Sequence, residues 1–132
     1  MRWKLVLLLL IGHTLCHCAQ KENKTEITPT KDYIRPIPGK DEPVAQETLD
    51  KGEVLISYNG CYDCHRKEVR SKGPAYSDIA KRYPRKKIYI SLLSQKILNG
   101  STGSWGNPVM PPHPNLRPEE ASAMATYILS LK

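Results

Sequence analysis

Cys61-Tyr62-Asp63-Cys64-His65 is the stretch on which the reading of this chain turns. Two thiols three positions apart, followed at once by an imidazole, are what covalent haem attachment requires. The sulfurs add to the two vinyl groups on one edge of the porphyrin, and the next side chain turns under the ring to offer a nitrogen to the iron. Two other chemistries use closely spaced cysteines. A structural zinc site needs four ligands, and no second Cys or His pair follows at similar spacing. A dithiol redox pair belongs inside a strand-helix-strand pattern, which is not visible here. The motif therefore reads first as the attachment site of one covalent haem c, with zinc and dithiol chemistry as the alternatives.

The surrounding chain is 132 residues long and contains no phenylalanine. That length allows one small domain. Below about 100 residues a fold commonly leans on a metal, a cofactor or disulfides, and a buried porphyrin would supply much of the missing core. The chain starts with Arg2 and Lys4, followed by an apolar run from Leu5 to Ile11. The run is short of the roughly 20 residues of a spanning helix and matches the central part of an export signal. Leu15-Cys16-His17-Cys18 also resembles a lipoprotein signal, apart from His17 where a small residue is usual, so residues 1–18 are expected to be an export signal with acylation at Cys18 favoured. Two of the four cysteines lie in this leader and two in the haem motif, which leaves none for a disulfide.

Residues 19–43 are polar, contain Pro29, Pro36, Pro38 and Pro43, and balance five basic against five acidic residues. This composition predicts a flexible N-terminal tether; the other reading is an arm wrapped on the domain around Tyr33 to Ile37. The folded domain is expected over residues 44–132, and it is expected to be all-α. Thr48 to Asn59 carries Leu49, Gly52, Leu55 and Ile56 at helical spacing and stops at Asn59-Gly60. Gly52 costs about 1 kcal/mol in a helix interior and marks a close crossing with the last helix. That last helix starts at Pro118 with Glu119 and Glu120 at its positive end, and places Ala121, Met124, Ala125 and Ile128 on one face. Between them come a short helix from Tyr76 to Tyr83, ended by Pro84, and another from Lys86 to Leu98. The latter has Tyr89, Leu92, Leu93 and Ile97 on one side and closes at Asn99-Gly100. From Asn99 to Asn115, three glycines and four prolines predict a long functional loop.

A haem held this way has a sixth iron position to fill or leave open. Met110, Met124 and His113 are the candidates. Met124 falls on the apolar helix face, where methionine is usually core. Met110 lies in Pro108-Val109-Met110-Pro111-Pro112, where prolines stiffen the backbone. Its thioether can bond iron, and His/Met ligation raises the reduction potential. His113, three residues beyond, allows a bis-His haem, although a solvated loop histidine is the commoner case.

Several stretches come in a familiar order: Gly52-Glu53-Val54-Leu55-Ile56, Cys61-Tyr62-Asp63-Cys64-His65, Gly73-Pro74-Ala75-Tyr76, Asp78-Ile79-Ala80, Gly100-Ser101, Gly103-Ser104-Trp105-Gly106, Met110-Pro111-Pro112 and Tyr127-Ile128-Leu129. From about residue 49 to residue 131 the chain resembles a small bacterial class I cytochrome c, a monohaem His/Met protein. The resemblance implies the class I cytochrome c fold, about four helices around one covalently bound haem. It implies thioethers at Cys61 and Cys64, with His65 and Met110 as axial ligands. It further implies that the Pro74 carbonyl accepts the second His65 ring proton, and that Trp105 lies beside a haem propionate. Ile56 departs from the pattern, in a slot that is often aromatic.

The net charge of +7 becomes +5 in the domain, thirteen basic residues against eight acidic, because the leader carries two of the cations and residues 19–43 are neutral. Arg66, Lys67, Arg70 and Lys72 form one basic group, and Lys81, Arg82, Arg85, Lys86 and Lys87 another. They are either a solvated surface or a ring that steers acidic-surfaced redox proteins to a haem edge. Export and the absence of a recognisable module argue against nucleic acid. The expectation is a monomeric one-electron carrier, not an enzyme, working by outer-sphere transfer between a reductase or dehydrogenase donor and an oxidase or reductase acceptor. It would sit on the periplasmic side of the cytoplasmic membrane, anchored by a lipid on Cys18. The alternatives are a haem enzyme or gas sensor with a labile sixth ligand, and a fixed electron-entry module of a larger redox complex.

Overall fold

The computed structural model describes residues 32–132; the export signal, Cys18 and the first part of the expected tether lie outside the described residues. Helix α1 covers Gln46–Tyr58, α2 Tyr76–Arg82, α3 Lys87–Asn99 and α4 Pro118–Ile128. A short 3-10 turn, Cys61–Asp63, follows α1 directly. The ends of these helices follow from local chemistry. At the end of α1 the Asn59 backbone N–H and side-chain amide both donate to the Leu55 carbonyl, at 3.1 and 2.7 Å. Pro84 cannot donate to a helical ladder, and α2 stops ahead of it at Arg82 with Tyr83 as its extended cap. At the start of α4 the Glu120 carboxylate turns back to accept the Arg117 backbone N–H at 2.9 Å, satisfying a donor that the helix leaves unpaired.

The core is formed where α4 lies between α1 and α3, against which it makes its main contacts. Ile56, Ala121, Ala125 and Leu129 are fully buried there, with Met124 and Tyr76 almost so. Ile56 thus fills its slot without an aromatic ring. Glu53, next to Gly52 on α1, accepts hydrogen bonds from the Tyr127 hydroxyl at 2.6 Å and from Lys67 Nζ at 2.9 Å. One carboxylate so links α1, α4 and the segment after the cysteines, and these two donors hold it below the usual glutamate range.

Three expectations change. The stretch after α3 is not a structureless loop: Ser101–Gly103 (β1) pairs antiparallel with Gly106–Met110 (β2), with Ser101 opposite Met110 and Gly103 opposite Gly106. Strands this short, rich in glycine and interrupted by Pro108, carry no readable alternation. Their turn is made by Gly103 and Gly106 at φ of 75° and 95°, a region that glycine enters at no steric cost. On α3 the buried residues are Leu93, Ser94 and Ile97, whereas Leu92 is 41 % exposed and does not share their face. Finally, residues 37–43 do not leave the domain as a free tether. The Ile37 N–H donates to the Arg82 carbonyl and the Glu42 N–H to the Arg85 carbonyl, both at 2.8 Å, so the arm reading describes them better than the tether reading.

Candidate functional site

One wall of an apolar cavity of about 390 Å³ is built from the cysteine turn. The α1 helix ends at Asn59, Gly60 reverses the chain, and the 3-10 turn sets Cys61 and Cys64 on the cavity, each as a half-buried free thiol. The His65 N–H donates to the Cys61 carbonyl at 3.0 Å and the Gly73 N–H to the Cys64 carbonyl at 2.8 Å, which folds residues 65–73 into a loop behind the histidine. Burial pushes the Cys61 thiol up. Addition of its S–H across a vinyl carbon-carbon double bond would give a thioether with no external oxidant or reductant.

His65 is oriented from three sides. Its Nδ1 lies 2.8 Å from the Pro74 carbonyl oxygen; a carbonyl only accepts, so Nδ1 carries the proton and Nε2 keeps its lone pair. The imidazole stacks on Tyr76, with centroids 5.3 Å apart and planes 14° from parallel. Against its edge lies Gly73, where a Cβ would come within 2.5 Å of Cε1 and 2.9 Å of Nδ1. Desolvation lowers the His65 pKa, with the Pro74 hydrogen bond opposing and the charge of His113 adding to the fall. The ring is thus neutral, as a metal-binding imidazole must be.

A second wall is the hairpin, which contributes Ser101, Thr102, Ser104, Trp105 and Met110. Gly100 makes the approach of Met110 possible: at φ of 74°, it lies where a Cβ would meet the Met110 carbonyl oxygen at 2.6 Å. The floor is Ile56, Ile79, Leu93, Ile97, Met124 and Ile128. All three candidates for a sixth ligand therefore line one cavity. Met124 belongs to the core at 1 % exposure, Met110 is half-buried on the hairpin, and the His113 N–H is tied to the carbonyls of Ile97 and Leu98.

Some lining residues carried no assigned role from sequence. Tyr76 was visible as the start of a short helix and as part of a quoted motif, and Lys96 gave no signal among the cations. Lys96 reaches the hairpin with Nζ 2.8 Å from Ser104 Oγ and lines the cavity, a position from which a cation can meet a carboxylate group. The basic groups are also less free than their count implies. Arg70 donates to the Trp105 carbonyl at 2.7 Å, Arg82 to the Tyr33 carbonyl at 2.8 Å, Arg85 to the Glu42 carbonyl at 3.1 Å, and Lys67 is paired with Glu53. Lys81 Nζ lies 3.7 Å from the Asp78 carboxylate, and Arg66, Lys72 and Lys87 remain exposed.

The residues present fit a covalent haem: two thiols not joined in a disulfide, an imidazole with one nitrogen engaged and the other free, a glycine against the ring edge, and apolar walls. Among the described residues no group of three or more His, Cys, Asp and Glu could hold a metal ion by itself.

Comparison with known proteins agrees. The family model for cytochrome c matches residues 49–132. The chain is 41 % identical over 80 residues to cytochrome c-552 of Hydrogenobacter thermophilus, spanning 61 % of this chain and 81 % of that protein. It is 39 % identical over 80 residues to cytochrome c-551 of Pseudomonas aeruginosa, spanning 61 % and 76 %. The crystal structure of wild-type cytochrome c552 from Nitrosomonas europaea superposes with a TM-score of 0.58 at 41 % identity, covering 61 % of this chain and 99 % of that one. The chain belongs to the cytochrome c family, as a small class I member with a single covalently bound haem c.

Proposed function

We propose that this protein carries one electron at a time between larger redox proteins, with Cys61 and Cys64 as the thioether attachment points and His65 and Met110 as the axial ligands. The observation that carries the reading is the His65 imidazole, committed through Nδ1 to Pro74 at 2.8 Å, in a cavity that Met110 also lines. The haem supplies reversible one-electron chemistry when bound. The protein's residues orient the imidazole, offer a thioether that favours the ferrous state, and keep water from most of the ring. Trp105 and Lys96, both in the cavity lining, would meet the propionates.

Absorbance spectra of the oxidised and reduced protein, with and without carbon monoxide, test this. A weak far-red band in the ferric form and indifference to carbon monoxide support a carrier with both axial positions filled. No band, with rapid carbon monoxide binding, overturns it. A second reading, a haem enzyme or sensor with an open iron, is favoured by His113, the one further imidazole in the cavity lining among the described residues.

The partners we infer are redox proteins with acidic docking surfaces, drawn by the exposed cations Arg66, Lys72 and Lys87. Electron transfer with such a partner slows as salt rises, because screening shortens the reach of these charges to about 10 Å at 0.1 M. Salt-independent rates would remove steering from the account. Export and a lipid on Cys18 rest on residues 1–18 of the sequence; the mass of the mature N-terminus decides between acylation and ordinary cleavage.

A further inference from the structure

The segment before α1 lies outside the stretch that matches the family, which begins at residue 49, and it is bound along the domain surface. At its far end Asp41 pairs with Lys132 and accepts the Arg85 backbone N–H at 2.6 Å. In its middle the Ile37 N–H is on the Arg82 carbonyl, and a Cβ at Gly39 would come within 2.9 Å of Pro84. At its near end the chain reaches the haem cavity's wall. The Arg82 guanidinium donates to the Tyr33 carbonyl at 2.8 Å and to the Ser104 carbonyl at 3.4 Å, and stands 5.2 Å over the Trp105 ring. The Tyr33 ring lies 6.4 Å from that same ring. One guanidinium therefore joins the arm to the turn of the hairpin.

The hairpin needs such support. An isolated two-stranded ribbon is marginal in water, and this one has strands of three and five residues with a proline in the longer. Inside the domain it is held by Lys96 on Ser104 and by Arg70 on the Trp105 carbonyl, both from half-buried or exposed side chains. Met110 is its last residue, so any opening of the ribbon moves the thioether.

We propose that residues 32–42 are an intramolecular strap, and that Tyr33 and Arg82 are positioning residues that hold the β1–β2 hairpin closed and so keep Met110 on the iron. This rests on the reading of Met110 as the sixth ligand. Tyr33 acts through Arg82 and Trp105 and touches neither iron nor ligand. The strap makes the strength of the iron–sulfur bond depend on a segment 77 residues earlier in the chain, Tyr33 against Met110.

The test uses the full haem-loaded chain with Tyr33→Ala, Arg82→Gln and Arg82→Lys, and Lys81→Gln as the control that removes a neighbouring charge without touching the hairpin. Three quantities are read: the rate of carbon monoxide binding to the ferrous protein, the temperature at which the ferric far-red band is lost, and amide hydrogen exchange over residues 101–110. Arg82→Gln raises carbon monoxide binding and hairpin exchange about tenfold or more, the size expected for losing a charge-assisted hydrogen bond. Tyr33→Ala keeps its main-chain carbonyl but loses the ring beside Trp105, and raises both by about two- to tenfold, the size of an aromatic pair. The band is lost at lower temperature while exchange in α1 and α4 is unchanged. Arg82→Lys does not restore the wild-type values, since an ammonium on the shorter lysine chain lacks the extended guanidinium that stands over the Trp105 ring while its Nη1 donates to both carbonyls, and Lys81→Gln behaves as wild type. Wild-type exchange and binding in both Tyr33→Ala and Arg82→Gln overturn the strap. If Arg82→Gln does not fold, Tyr33→Ala decides alone. If the wild type itself lacks the band and binds carbon monoxide at once, the Met110 reading has failed. The strap is then judged by hairpin exchange alone: faster in the variants upholds it, unchanged overturns it.

Discussion

Gly52 on α1 lies against the main chain of α4 at Ala123, so closely that a methyl group there would overlap the Ala123 carbonyl oxygen and sit 2.7 Å from Tyr127 Cβ. The two helices that frame the haem motif cross at a point where only a hydrogen fits. Glu53 beside it then reaches the Tyr127 hydroxyl, so the crossing is fixed by an absent side chain and a hydrogen bond together.

We expect Gly52→Ala to destabilise the haem-loaded protein although alanine is the better helix former by about 1 kcal/mol. Overpacking a close crossing costs about 1–3 kcal/mol, and the overlap here is with backbone, which cannot rotate away. Thermal unfolding should show a midpoint lower by several degrees, about 4–8 °C per kcal/mol for a domain of this size. An unchanged or raised midpoint would mean that the helices can separate without loss.

Gly73→Ala should act on the cofactor rather than on the fold. The added methyl would press on His65 Cε1 and Nδ1, and the ring can yield only by leaving Pro74 or Tyr76. Less haem attached per polypeptide is expected, and a histidine ring proton that has lost its hydrogen-bond shift in the magnetic resonance spectrum. Normal loading with an unshifted proton would show that the loop 66–74 moves instead.

Met110→His exchanges a soft sulfur for an imidazole. The spectrum should lose the far-red band while staying six-coordinate, and the reduction potential should fall by on the order of 0.1–0.3 V, a fraction of the roughly 0.8 V that axial ligands span. If Met110→Ala instead leaves the band in place, the other thioether in the cavity lining, Met124, is the ligand.

Acid should release the far end of the strap. The Lys132 ammonium, with the Arg85 amide in support, holds the Asp41 carboxyl below its ordinary value of 3.8. Because the folded value is the lower one, the pairing stabilises the strap fully above about pH 4 and is lost as pH falls through that lower value. The protection of the Arg85 amide against hydrogen exchange, corrected for its intrinsic rate, should decline below about pH 4 in the wild type. In Asp41→Asn, which keeps the acceptor oxygen but does not titrate, it should stay flat. A parallel decline in both would assign the acid effect elsewhere.

The helix stops at Asn59-Gly60, Pro84 and Gly100, the start at Pro118, and the haem motif at Cys61, Cys64 and His65 were all legible in the chain, because each depends on chemistry within a few neighbouring residues. The placement of Gly52 under α4 was legible too, since a glycine inside an amphipathic helix has few other uses. Leu92 misled because helical spacing leaves a boundary residue free to fall on either side of a face, and only the partner helix decides which. The hairpin at 101–110 was hidden by its brevity and by Pro108.

What tertiary structure alone decided was everything that joins distant segments through polar contacts. Tyr33 meets Arg82 across 49 positions and Asp41 meets Lys132 across 91; a polar, proline-containing stretch of balanced charge looks the same whether it is solvated or strapped to a surface. Lys96 and Ser104 are eight positions apart, yet their pairing across the cavity rim depends on the turn at Gly100. Covalent and helix-end chemistry is local and can be read from order and spacing. A hydrogen bond between remote residues exists only once the apolar core has brought their backbones within reach.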